Sequence, residues 1–174
     1  MIQIAAYQGT SFVSRLIRWQ TRSCYSHIAV RFTEDIWVNR GGGRESLINA
    51  GAVIEAWKGG VRLVPTLSAS HTPGTRVDLL EFVNPLTYAE EQAVAAFLLS
   101  QVGKGYDYLA IIRFLTREPM NYWNKKKWFC SELTFESSLT AGRDLLARIP
   151  AWKVPPAWVP MSPLLKYAGR EITT

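Results

Sequence analysis

The order of local signals predicts an α+β domain over residues 1–174: a small antiparallel sheet packed against helices. Three observations predict it. Strand-like segments at 26–32, 51–57, 61–64 and 76–83 crowd the first half of the chain. Gly59-Gly60 joins two of them as a hairpin turn would. Helical signals take over after residue 87.

Taken in order, residues 12–20 come first. They place Phe12, Leu16 and Trp19 on one helical face, with Arg15 and Arg18 turned away, and predict a short helix. Residues 26–32 alternate: Ile28, Val30 and Phe32 share one face, His27, Ala29 and Arg31 the other. The glycine-rich stretch from Asn39 to Glu45 lacks the Gly-Lys-Ser/Thr close of a phosphate loop and reads as a surface turn. Residues 51–57 and 61–64 make the hairpin, and 76–83 add a strand with Val77, Leu79, Leu80 and Phe82. Thr87 and Glu90 form a capping box, in which each side chain satisfies an orphan amide at the start of a helix that Gly103 stops. A further apolar helical run follows through Leu115, and residues 129–141 form a last helix ended by Gly142. The tail 148–163 holds five prolines, which exclude a helix or central strand. It is expected to wrap over the domain and bury Trp152 and Trp158.

Composition narrows the function classes. Hydrophobic residues make up 48% and charged residues 20%, an ordinary globular profile. No apolar run reaches the ~18 residues that span a bilayer. The first residues lack a basic n-region and a long apolar h-region, so no signal peptide is read and a cytoplasmic location is expected. Two cysteines, Cys24 and Cys130, are too few for a disulfide scaffold. With His27 and His71 they match no zinc-ligand spacing, and no metal or organic cofactor is expected. The net charge of +6 favours anionic partners. The charge is spread over Arg15, Arg18, Arg22, Arg40 and Arg44, with one cluster at Lys125, Lys126 and Lys127. Tyr122, Trp123 and Trp128 beside that cluster could stack bases, but no nucleic-acid-binding motif accompanies them.

The chemistry lies in Cys130. A thiol opening a helix meets free amides whose partial positive charge favours the thiolate. The Cys130 and Ser131 amides would then form an oxyanion hole. A buried structural cysteine is the alternative reading. His27 shares its strand face with the small Ala29, which leaves room for a helix to approach, and a neutral imidazole there can take a thiol proton. Its alternative is a hydrogen-bonded structural histidine. Glu55, mid-strand between apolar neighbours, is the best third member to hold the imidazole in one tautomer. It could equally face outward on a half-exposed sheet. His71 lies in a turn-rich loop and is read as exposed, and Glu132 and Glu136 as the wet face of the cysteine helix.

With these residues in hand, the chain resembles the circularly permuted papain-like hydrolases, relatives of the NlpC-type cell-wall peptidases. The matching pieces are Tyr-Ser-His-Ile-Ala-Val (25–30), Val-Ile-Glu-Ala (53–56), Gly-Gly-Val-Arg-Leu-Val-Pro (59–65), Gly-Lys-Gly-Tyr-Asp-Tyr (103–108), Phe-Cys-Ser-Glu-Leu (129–133) and Met-Ser-Pro-Leu-Leu (161–165). The resemblance implies a papain-like core with Cys130 as nucleophile, His27 as base and Glu55 as its orienting partner. It also implies Tyr106 near the oxyanion site, although the stretch from Tyr106 to Cys130 is longer here. The family's opening Gly-Asp turn is absent, and the insertion 117–128 could form a lid or rim.

The expected activity is cysteine-dependent hydrolysis of an amide bond, peptide or isopeptide, through a thioester. A cell-wall peptide is one substrate that the resemblance admits. A lipid acyl hydrolase or acyltransferase on the same residues is the first alternative, with Trp123 and Trp128 lining an apolar groove. A binding or structural module without chemistry is the second.

Overall fold

A computed structural model of the chain describes residues 1–39, 45–69, 71–108 and 126–174. Six strands form one antiparallel sheet in the order β10-β7-β1-β2-β5-β6. They are β1 (Ile2–Gln8), β2 (His27–Phe32), β5 (Val53–Trp57), β6 (Gly60–Val64), β7 (Arg76–Phe82) and β10 (Leu165–Ile172). A separate hairpin pairs β3 (Ile36–Asn39) with β4 (Glu45–Ile48). Among the described residues there are three α-helices: α1 (Phe12–Thr21), α2 (Tyr88–Gln101) and α3 (Cys130–Thr140). A two-residue parallel ladder joins β8 (Gly105–Tyr106) to β9 (Lys127–Trp128). The α+β plan with an antiparallel sheet packed on helices is therefore the observed one.

The sheet is apolar on both faces, which explains what the sequence hid. Ile4, Ala6, Ile28, Val30, Ile54 and Ala56 look toward α2, α3 and the proline-rich tail. Ala5, Tyr7, Ala29, Val53, Val77 and Leu79 look the other way, under Leu67. Strands buried on both faces lose the polar-apolar alternation that marks a half-exposed strand. This is why β1, the centre of the sheet, carries no strand signal in Ile-Gln-Ile-Ala-Ala-Tyr-Gln. β10 escaped for the opposite reason, since it is an edge strand with only Leu165 buried.

The helices follow their signals. Ser11 caps α1 by accepting the Ser14 amide. The capping box of α2 is present, with Thr87 N–H donating to Glu90 at 2.7 Å and Glu90 N–H to the Thr87 hydroxyl at 3.3 Å. Gly103 stops α2 at φ +91°. Gly60 is required where β6 meets the segment between α2 and β8, because a Cβ there would collide with the Lys104 carbonyl, which accepts the Val61 amide at 2.8 Å.

Four expectations need correction. The apolar face of α1 is turned to solvent: only Ser14 and Ile17 are buried, while Phe12 is 81% and Trp19 74% exposed. Helix α3 packs against the Val30 and Ile54 face, not beside Ala29, whose face is covered by Leu67. Glu132 is buried, because α3 is enclosed nearly all round. The tail does wrap the domain, but it buries Ala151, Val154, Ala157 and Val159, leaving Trp158 exposed and Trp152 half-buried. The helical run through Leu115, most of the insertion 117–128, Arg40, Arg44, Tyr122, Trp123 and Lys125 lie outside the described residues. No helix among the described residues is long and apolar enough to cross a membrane.

Candidate active site

Glu55 is the hub. Val30 lies opposite Ile54, and Arg31 opposite Val53, so Glu55 rises from the same face as His27 and Ala29 on the neighbouring strand. Its Oε2 accepts from His27 Nε2 at 2.7 Å and from His71 Nε2 at 3.0 Å. Its Oε1 accepts two bonds from Arg62, from Nε at 3.0 Å and Nη2 at 2.7 Å. Burial opposes ionisation of this carboxyl, but the hydrogen bonds from the two histidines outweigh it and hold Glu55 well below the usual carboxylate range.

An ionised carboxylate only accepts, so both Nε2 atoms must carry hydrogen. Burial pushes the His27 pKa down, against the opposing pull of Glu55. His27 is thus held neutral, with its proton on Nε2 and its lone pair on Nδ1. That Nδ1 is buried and has no hydrogen-bond partner among the described residues. A buried acceptor without a protein partner is met by a bound water or by a functional group.

Cys130 opens α3 after Phe129, whose amide donates to Glu132 at 3.4 Å. The side chain is 1% exposed. Burial pushes its thiol up to about 12, although the amides of Ile28, Ser131 and Cys130 itself bond to the sulfur and favour the thiolate. The Ile28 amide belongs to the residue after His27, so the sulfur meets the backbone of β2 there, while the His27 ring lies with Glu55, Tyr7 and Trp57. No hydrogen bond joins the Cys130 thiol to His27 among the described residues. The expected low-pKa thiol is thus absent from this closed arrangement: desolvation exceeds what the helix terminus supplies.

Tyr106 is brought to Cys130 by the β8–β9 ladder, which sets it beside Trp128 and two residues from the thiol. Burial, and then the nearby Cys130 charge, push its phenol up. Ser131 is fully buried. Its amide faces the Cys130 sulfur, and its hydroxyl donates to the Val154 carbonyl, tying α3 to the tail.

Contrary to the exposed position that its turn-rich loop predicts, the His71 side chain is only 6% exposed. It stacks on Tyr7, with ring centroids 4.1 Å apart. Trp57 closes over both histidines, 4.5 Å from His27 and 4.9 Å from His71. The His71 loop is fastened by the chain's last residues. Thr173 accepts the Gly74 and Thr75 amides and donates to the Thr72 carbonyl, and the Thr174 amide donates to Ser68. The only signal for His71 was its position just before a strand neighbouring β1. Arg62, two residues past the hairpin turn, carried a better one, since its register partner is Glu55. A cavity of ≈ 40 Å³ opens beside His27 and His71, lined by Gly9, Ser26 and Thr72 among others, with room for about one water.

His27, Glu55 and His71 bring one donor atom each within 4.8 Å of one another. Two imidazoles and a carboxylate are a ligand set that divalent transition metals accept. Cysteine and histidine spacing alone does not bring this set together, because Glu55 comes from another strand. As arranged, however, the set fits a hydrogen-bonded network. Metal on both Nε2 atoms would move the His27 proton to Nδ1, where no acceptor meets it, and Arg62 already occupies Glu55 Oε1.

Comparison with known proteins bears on the fold. No family model matches the chain, and no curated protein does. Among solved structures, the chain is similar to the metalloprotein YiiX of Escherichia coli O157:H7, described as DUF1105, with a TM-score of 0.66 and 17% identity over 97% of this chain and 96% of that one. At that identity the likeness is one of fold. It corrects the resemblance read from the motifs: the structure matched over nearly its whole length belongs to DUF1105, a different family from the circularly permuted NlpC-like hydrolases.

Proposed function

We propose that the chain is a cysteine-dependent hydrolase of amide or ester bonds, with Cys130 as nucleophile, His27 as base and Glu55 as the group that orients it. One observation carries the reading. His27 donates its only N–H to Glu55 and keeps a buried lone pair on Nδ1, while the amide of the next residue, Ile28, bonds to the Cys130 sulfur. A base held in one tautomer and a thiol against the same strand are the parts nucleophilic catalysis needs, and reaction requires the His27 ring and the Cys130 sulfur to come within hydrogen-bond reach.

In the proposed reaction, His27 Nδ1 takes the Cys130 proton as sulfur bonds to the substrate carbonyl carbon. The Cys130 and Ser131 amides at the start of α3 donate to the resulting oxyanion. His27 then gives its proton to the departing amine or alkoxide, leaving a thioester. Water attacks the thioester, its proton passes to His27, and the acid is released as that proton returns to sulfur. Glu55 stabilises the transient imidazolium, and Arg62 and His71 keep Glu55 ionised. With the thiol pushed up to about 12, this is base catalysis from a neutral pair, and the buried Cys130 must become exposed for substrate to reach it.

A panel of activated acyl esters and amides, read by peptide mass, tests this. An acyl adduct on Cys130 that His27→Ala removes and Cys24→Ser retains is the expected result. No adduct on Cys130 with any reagent, or an equal adduct in His27→Ala, sinks the proposal and leaves a binding module.

A second reading follows from the ligand set at Glu55 and from the description of YiiX as a metalloprotein. In it His27, Glu55 and His71 hold a divalent ion. It predicts one metal per chain by elemental analysis, lost in His71→Ala. The hydrolase reading predicts sub-stoichiometric metal and an adduct that survives chelation.

A further inference from the structure

We propose that α1 is a docking surface for an anionic lipid bilayer. The helix turns Phe12, Val13 and Trp19 outward, 81%, 47% and 74% exposed, and buries only Ser14 and Ile17. A ten-residue helix whose large apolar side chains face solvent is inverted relative to a core-facing helix. Charge says what covers it. Arg15, Arg18 and Trp19, with Thr10 and Ser23, line an open groove of ≈ 560 Å³, and Arg22 caps the helix end. No acidic residue precedes Glu34 in the sequence, so nothing on this segment opposes an anion.

Aromatic side chains flanked by arginines are what a helix lying in the headgroup layer presents: the rings enter the acyl boundary and the guanidiniums meet phosphates. A folded protein partner fits less well, since one short helix offers far less than the surface a stable interface buries. Nucleic acid would leave Val13 and half-buried Leu16 without a counterpart. The start of α1 adjoins the candidate site, because Thr10, Ser11 and Ser14 line the same small cavity as His27 and His71. Docking would therefore place the helix that borders that cavity on the bilayer. The corollary that the substrate is an acyl amphiphile rests on the hydrolase reading; the docking does not.

Co-sedimentation with phosphatidylcholine vesicles, with and without equimolar phosphatidylglycerol, decides the matter. The expected result is binding to the anionic vesicles alone, weakened by high salt. Phe12→Ser/Trp19→Ser and Arg15→Glu/Arg22→Glu should each weaken it about tenfold or more, with unchanged thermal melts. Cys130→Ala should bind as the parent protein does, so failure of the hydrolase reading leaves this result standing. The proposal is overturned by no binding to anionic vesicles or by binding that neither double variant reduces. It is equally overturned by a dimer in solution that Phe12→Ser/Trp19→Ser dissociates, or by retention on DNA with none on lipid.

Discussion

Glu55 accepts four hydrogen bonds from three side chains, so it cannot be altered without disturbing all of them. Glu55→Gln keeps the shape and removes the charge that steadies a protonated His27. Acylation of Cys130 should fall on the order of a hundredfold or more, measured as adduct formed per minute. The thiols themselves should differ sharply. With Cys130 pushed up to about 12, its thiolate fraction at pH 8 is on the order of 10⁻⁴, while Cys24 is exposed. Iodoacetamide should therefore label Cys24 first and Cys130 only slowly; equal rates would show that Cys130 is readily exposed in solution. At this scale the sequence was informative where burial has a chemical signature. A glutamate between apolar strand neighbours needs partners, which singled out Glu55 and His27. His71 was missed because what buries it, Tyr7 and Trp57, comes from strands distant in sequence.

Among the elements, α3 is the most constrained. Phe135 is 1% exposed between that helix and the sheet, and Phe135→Ala should cost about 3–5 kcal/mol, read by urea denaturation. Gly60→Ala tests the β6 crossing: it combines a left-handed φ of +133° with a clash against the Lys104 carbonyl. A loss of at least ~1–3 kcal/mol is expected, and a neutral result would mean that the crossing yields. Helix termini were legible because caps are local chemistry, as Thr87, Glu90 and Gly103 show. The direction a helix faces was not. The spacing of Phe12, Leu16 and Trp19 marks an apolar stripe but does not say whether protein or something else lies against it.

For the molecule as a whole, the buried histidine–carboxylate network sets the response to acid. His27 has a folded pKa below its unfolded value of ~6.5. The unfolded chain therefore binds more protons as pH falls below ~6.5, and stability drops. Glu55, also held low, contributes stability above ~4.3 that is lost as pH falls toward its folded pKa. Both act in one direction. The melting temperature should decline from pH 7 to 4, and His27→Asn should flatten the part between 7 and 5. An unchanged slope would place the acid sensitivity elsewhere. The sheet order was the least legible feature, since β1 and β10 flank β7 from opposite ends of the chain and no local pattern announces that pairing.

That same pairing gives the end of the chain a hidden office. Thr173 and Thr174 touch neither His27 nor Cys130, yet they clamp the loop that carries His71 onto Glu55. Trimming the chain after Ile172 would be an active-site mutation delivered by leverage, loosening the Glu55 network without changing any residue in it.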